Sequence, residues 1–196
     1  MSPATVQLFY AILSLVALGV VGVVAVLRIA STVSSSARDG YRMIAATLAA
    51  NAVAMAWVVA MLATAGSLYF SEVAHYDPCR LCWYQRIAMY PLVIILGVAA
   101  FRHDNGIRVY GRALSAIGAV IAAYHVALEW IPALDTGACG VGPACTVVWF
   151  RALGFISLPF LALSAFLLIF TLLSVRTPDT GAVDLADETE PQGRTG

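Results

Sequence analysis

The chain holds four cysteines, and they fall into two pairs: Cys79 and Cys82, then Cys139 and Cys145. A Cys-x-x-Cys pair can close a small disulfide ring, and its thiolate is the species that attacks or leaves in exchange with another disulfide. In the string Asp77-Pro78-Cys79-Arg80-Leu81-Cys82-Trp83-Tyr84-Gln85-Arg86, Asp77 suits a helix N-cap and Pro78 the first helical position. Cys79 and Cys82 then share one face of the first turns. The helix dipole, with Arg80 and Arg86, favours thiolate over thiol there, so this disulfide is expected to be labile. The second pair, Cys139-Gly140-Val141-Gly142-Pro143-Ala144-Cys145, reads as a turn-rich loop short enough to be stapled and exposed enough to be attacked. Two dithiols at one membrane face read as a relay for electrons. The alternatives for these cysteines are static braces or a zinc site. The Cys-x5-Cys spacing and the oxidising face argue against zinc.

Two ionisable residues lie near the first pair in this reading. Arg86 falls about a turn past Cys82, near the end of an apolar stretch, where a charge is solvated, paired or employed. It either snorkels to the headgroups or donates to a polar ligand beside Cys82, and a quinone, with its carbonyl oxygens, suits that place. His125 lies inside another apolar stretch, as a bundle hydrogen-bonding residue or as a donor to the same quinone. Glu129, at the end of that stretch, reads as an interfacial carboxylate; His75 and His103 read as loop residues.

The elements that must position these groups are membrane spans. The chain is 61% hydrophobic, its mean hydropathy is +0.88, and its net charge is zero, which points to lipid and gives no sign of nucleic acid. Five apolar stretches are long enough to cross a bilayer, at about 5–27, 43–66, 83–101, 113–131 and 153–175. Arg28, Arg38, Arg42, Arg102, Arg108, Arg112 and Arg176 gather in alternate connections. Placing them in the cytoplasm puts the N-terminus and both cysteine pairs outside and the C-terminus inside. Trp83, Trp130, Trp149, Tyr76 and Tyr84 collect at the outer face as an aromatic belt would. The uncharged N-terminus and the length of the first apolar run argue against a cleaved signal peptide. The polar stretch 176–196 reads as a disordered tail.

The run from Pro78 to Arg86, continuing Ile87-Ala88-Met89-Tyr90-Pro91-Leu92, resembles the DsbB family of disulfide-generating membrane oxidoreductases, and within it the BdbC-like branch. Gly142-Pro143-Ala144-Cys145-Thr146, the run Leu153 to Leu161 and Tyr124-His125 extend the resemblance over about residues 43–175. The resemblance implies an all-α membrane protein of five transmembrane helices, the last four forming a DsbB-like four-helix bundle. Residues 1–42 would be an extra helix with a cytoplasmic loop, and 176–196 a cytoplasmic tail. It also implies a multi-pass protein of the bacterial inner membrane that re-oxidises a DsbA-like thioredoxin-fold partner and passes electrons to menaquinone or ubiquinone. Cys139 would form the mixed disulfide with the partner, and Cys145 would resolve it or exchange with the first pair. Cys79 would exchange with the second pair and Cys82 would meet the quinone, beside Arg86 and, by a looser match, His125. Two departures stand out: the extra first span, and a second pair spaced more tightly than in members with a longer loop. A reductase running the relay in reverse or a VKOR-like quinone reductase shares the same outline. A structural or transport protein with two inert disulfides is the rival from outside enzymes.

Overall fold

The computed structural model describes residues 2–135, 137, 139–140 and 143–175. The expected tail 176–196, with Arg176, lies outside the described residues, as does the Val141-Gly142 step of the second cysteine loop. Five long helices follow one another: α1 (Pro3–Ala30), α2 (Ser35–Leu68), α3 (Arg80–Arg102), α4 (Arg108–Trp130) and α5 (Leu158–Ser174). Ser2 caps α1 by accepting from the Thr5 amide, with Pro3 in the first helical position, and Ser34 caps α2 through the Ala37 amide. Helices α1 to α4 are long and apolar enough to cross a membrane. The 17 residues of α5 make a shorter apolar helix, about 26 Å long at 1.5 Å per residue and close to the thickness of the hydrocarbon core.

Two boundaries differ from expectation. Helix α2 starts eight residues before the apolar stretch at 43, because charge alone does not end a helix and residues 35–42 contain no proline. It then runs into a π-helical turn, Tyr69–Val73, before the chain turns toward the first cysteines. Helix α5 starts five residues later than 153. Leu153 and Gly154 both take positive φ (53° and 83°) in a tight turn closed by the Ala152–Ile156 bridge.

Helices α2, α3, α4 and α5 each pack on the next, and α5 returns to α2, which closes a four-helix bundle; α1 lies outside it against α2 and α5. The core between them holds Met89, Leu92 and Leu96 of α3 with Phe166, Ile169 and Leu173 of α5. Small residues let the backbones approach, as membrane bundles require. A Cβ on Gly118 of α4 would sit 2.3 Å from the Phe166 ring, so only glycine admits that ring. Outward-facing Leu8, Ile12, Leu15, Ile94, Val98 and Val120 are exposed, as lipid-facing positions are. Arg108 ties the opposite end together, donating to the carbonyls of Val175 and Ala49 at 2.7 Å each.

Candidate active site

Both cysteine pairs lie at one end of the bundle, and they pack in one cluster. Cys79, Cys139 and Cys145 are buried there with Leu81 and Leu128, and Cys82 and Tyr124 pack against them. Asp77 does not cap α3 as expected. Residues 75–79 stay non-helical, and Cys79 itself is the N-cap, its sulfur accepting from the Cys82 amide at 3.4 Å. A sulfur in the capping position gains from the helix N-terminus when it is negative. Cys79 and Cys82 are free, with their sulfurs 3.1 Å apart.

Cys139 and Cys145 form a disulfide, with Cα atoms 5.8 Å apart. Gly140, Pro143 and Ala144 between them are exposed, but the two cysteines themselves are buried, at 6% and 1% exposure. The loop folds down onto the start of α3. Gly140 takes φ +61°, and a Cβ there would lie 2.8 Å from Nη1 of Arg80. Arg80, next to the first pair, thus rests against the residue next to Cys139.

His125 joins the two pairs. Its Nε2 lies 3.1 Å from the Cys145 carbonyl and 3.7 Å from the Cys79 sulfur, and its Nδ1 lies 3.0 Å from Gln85 Nε2. A carbonyl oxygen only accepts, so Nε2 carries the proton; the Gln85 amide then donates to Nδ1. One imidazole N–H therefore faces both the backbone of Cys145 and the sulfur of Cys79. Cys79, which precedes the span of α3, has its thiol held far below the ordinary value of 9, at about 4. The Cys82 thiol donating to it is the first cause, and burial opposes; the hydrogen bond from His125 adds to the lowering. Neither arginine is among the causes at Cys79: the Arg80 guanidinium lies 6.0 Å from the centre of the Tyr84 ring, and Arg86 stands beside Cys82 instead.

Arg86 is buried rather than snorkelling. Its Nε donates to Ser67 Oγ and its Nη2 to the Ser67 carbonyl, both at 3.0 Å, and its Cζ lies 5.2 Å over the Trp83 ring. Neither hydrogen bond uses Nη1. Arg86 and Cys82 line a mostly apolar cavity of about 260 Å³. A smaller cleft on the other side of Cys82 is lined by Cys79, His125 and Glu129, so Cys82 borders both spaces. His125 lines the cleft and is not among the residues of the cavity.

Comparison with known proteins follows this geometry. The family model for disulfide bond formation protein DsbB matches residues 49–175, which hold all four cysteines, Arg86 and His125. The chain belongs to the DsbB family. A probable disulfide formation protein of Oceanobacillus iheyensis is 47% identical over 126 residues, covering 63% of this chain and 87% of the relative. Disulfide bond formation protein C of Bacillus subtilis is 47% identical over 114 residues, 58% of this chain and 83% of the relative. A probable disulfide formation protein C 2 of Bacillus anthracis is 42% identical over 123 residues, 63% and 88%. No solved structure matches the chain. Membership makes this a multi-pass helical membrane protein of disulfide bond formation, with the thiol-oxidising chemistry of a disulfide oxidoreductase.

Four contributors to this DsbB-family site escaped sequence reasoning. Gln85 and Ser67 carry no chemistry of their own; each orients a charged or ionisable neighbour. Ser157 donates to the Glu129 carboxylate, while Arg151 Nη2 donates to the Glu129 carbonyl at 3.1 Å. Glu129 is buried at the end of α4 and pins the start of α5 to it. The available signal was spacing: Gln85 lies three residues past Cys82, on the face that carries both polar partners.

Proposed function

We propose that the chain is a quinone-dependent thiol oxidase that re-oxidises a DsbA-like thioredoxin-fold protein outside the cytoplasmic membrane of a bacterium. The observation that carries this reading is the position of Cys82. It touches Cys79 on one side and borders the cavity of Arg86 on the other, so a two-electron path leads from the cysteine cluster into an apolar space with one cation. A quinone fits that space: its ring is apolar, its oxygens accept hydrogen bonds, and the Arg86 guanidinium can donate to them. When bound, the quinone supplies the acceptor for two electrons and two protons.

The chain's own residues perform the exchange. A partner thiolate attacks the Cys139–Cys145 bond at Cys139, the more accessible sulfur, and Cys145 leaves as a thiolate. The second partner thiol then displaces Cys139 and leaves the partner oxidised. The freed Cys145 attacks Cys79 of an oxidised Cys79–Cys82 pair, and Cys82 leaves. Cys139 displaces Cys79, so the second pair closes again. The Cys79/Cys82 dithiol now holds the two electrons. His125 serves this last exchange, because its Nε2–H stabilises negative charge on Cys79 when that sulfur departs, beside the Cys145 backbone. A lowered Cys79 pKa makes it a good leaving group when Cys139 displaces it.

The same reading takes residues 1–42 as an added helix and loop, 43–175 as the catalytic bundle and 176–196 as a cytoplasmic tail. The arginines at the end opposite the cysteines support an outside N-terminus and an inside C-terminus. The decisive experiment reduces the purified, lipid-reconstituted protein and follows closure of the four thiols by alkylation, with and without added quinone. Quinone-dependent closure of both pairs, lost in Cys82→Ser, is expected. Thiols that stay reduced, or close equally well without quinone, refute the oxidase reading.

A further inference from the structure

We infer that α1 walls an internal channel for the prenyl tail of the quinone, so that the acceptor is held within the protein instead of between the bundle and lipid. This rests on the quinone reading above and assigns a role to a helix that lies outside the family match, which begins at residue 49. The cavity that starts at Cys82 and Arg86 does not end there. It continues between α2, α5 and α1, whose lining residues run from Tyr10 to Val20 on α1 and from Leu158 to Leu168 on α5. Ten residues of helix make that continuation about 15 Å long, along the bundle toward the middle of the membrane.

The inner face of α1 is built for hydrocarbon. Ser14 and Ala17 line the cavity and are buried and small, whereas Ile12 and Leu15 beside them are exposed and do not line it. The Ser14 hydroxyl donates to the Ala11 carbonyl at 2.9 Å and so has no proton left to offer a ligand. At the headgroup end α1 is fastened on two sides. Gln7 donates to the Tyr76 hydroxyl at 2.9 Å, and Tyr76 stacks on Trp149 with centroids 4.9 Å apart. The Tyr10 ring rests on Gly66, where a Cβ would fall 2.7 Å from it, and its hydroxyl donates to the Leu62 carbonyl. Gly66 adjoins Ser67, the residue that holds Arg86. The helix therefore closes the groove between α2 and α5 beside the group that would meet the headgroup, and leaves an apolar passage below it. A ring without a tail fills only the headgroup end; a prenylated quinone fills both.

The test uses the full chain in lipid nanodiscs. A quinone with a photoreactive diazirine on its prenyl tail is irradiated with the wild-type protein, and the labelled peptides are mapped. Labelling of α1 between Tyr10 and Val20 is expected; labelling confined to lipid, or to the lipid-facing side of the bundle, overturns the inference. Re-oxidation is then compared for a prenylated quinone and its tail-less parent ring. Ala17→Phe, which fills the passage, is expected to raise KM for the prenylated quinone about tenfold more than for the parent ring. Equal effects on the two overturn the channel while leaving the oxidase reading intact. Failure of the wild type with both quinones instead overturns the oxidase reading, and the channel with it.

Discussion

If the His125 N–H stabilises the Cys79 thiolate, replacing it with a ring of similar size that cannot donate must raise the pKa of Cys79. His125→Phe is that change. A hydrogen bond to a charged group contributes about 1.5–3 kcal/mol, which is about one to two pKa units. Cys79 starts from about 4, so the variant is expected to titrate at roughly 5 to 6 and not at 9, because the larger cause, the Cys82 thiol, remains. A lowered pKa means that reactivity is present above it and is lost as the pH falls through it. At pH 5 the thiolate fraction then drops from roughly nine-tenths to between a half and a tenth, whereas at pH 8 it hardly moves. The assay is the pH dependence of alkylation of the reduced protein, with Cys139 and Cys145 replaced by serine to prevent exchange. Trypsin cuts after Arg80, between the two cysteines, so mass spectrometry follows Cys79 and Cys82 on separate peptides. His125→Gln, which keeps an N–H near the Nε2 position, should recover part of the shift. A wild-type midpoint near 9, or one that His125→Phe leaves in place, refutes the role assigned to His125.

Three further outcomes follow from the same contacts. Arg86→Lys keeps the charge but cannot make both Ser67 hydrogen bonds; the KM for quinone in the re-oxidation assay should rise several-fold, with a smaller change in kcat. Gly140→Ala meets Arg80 and a left-handed backbone that costs a non-glycine residue about 1–2 kcal/mol. It should slow exchange between the two pairs, read by trapping the inter-pair disulfide, while the first pair alone still reacts with quinone. Gly118→Val drives side-chain atoms into the Phe166 ring and should destabilise the bundle by about 1–3 kcal/mol, as overpacking does, measured by denaturation in mixed micelles.

Much of this molecule was legible because its strongest signals are local. Apolar length announces a span, a proline and a serine announce a helix start, and a Cys-x-x-Cys needs no distant partner to be noticed. The apolar stretches at 43–66 and 113–131 accordingly fall within α2 and along most of α4. The misplaced boundaries are those where a local rule competed with something remote. Asp77 has the better capping side chain, yet Cys79 caps α3, in a segment whose cysteine sulfur also lies beside His125. Residues 153–157 are apolar enough to be helical. Instead they form a turn whose last residue, Ser157, spends its hydroxyl on Glu129 of another helix.

What stayed hidden in the site is the set of pairings between helices. Periodicity says which face a residue occupies but not which residue of a neighbouring helix stands opposite, because sliding one helix past another by a turn leaves its pattern unchanged. Arg86 could be seen to need a partner, but Ser67, nineteen residues earlier on α2, could not be named. From the sequence His125 reads either as a hydrogen-bonding residue of the bundle or as a donor to the quinone, because a histidine in an apolar stretch has several uses. Its place between Cys145 and Cys79 depends on the depth at which α4 packs against α3, and Gln85 reports that depth by meeting Nδ1. The same logic explains why the relay tolerates a buried second pair. Both cysteines of this disulfide are buried, so the proposed reading requires them to be uncovered before a partner thiol attacks. On that reading, docking of the partner and opening of the disulfide become one event, and stray thiols outside the membrane are kept from reducing the second pair.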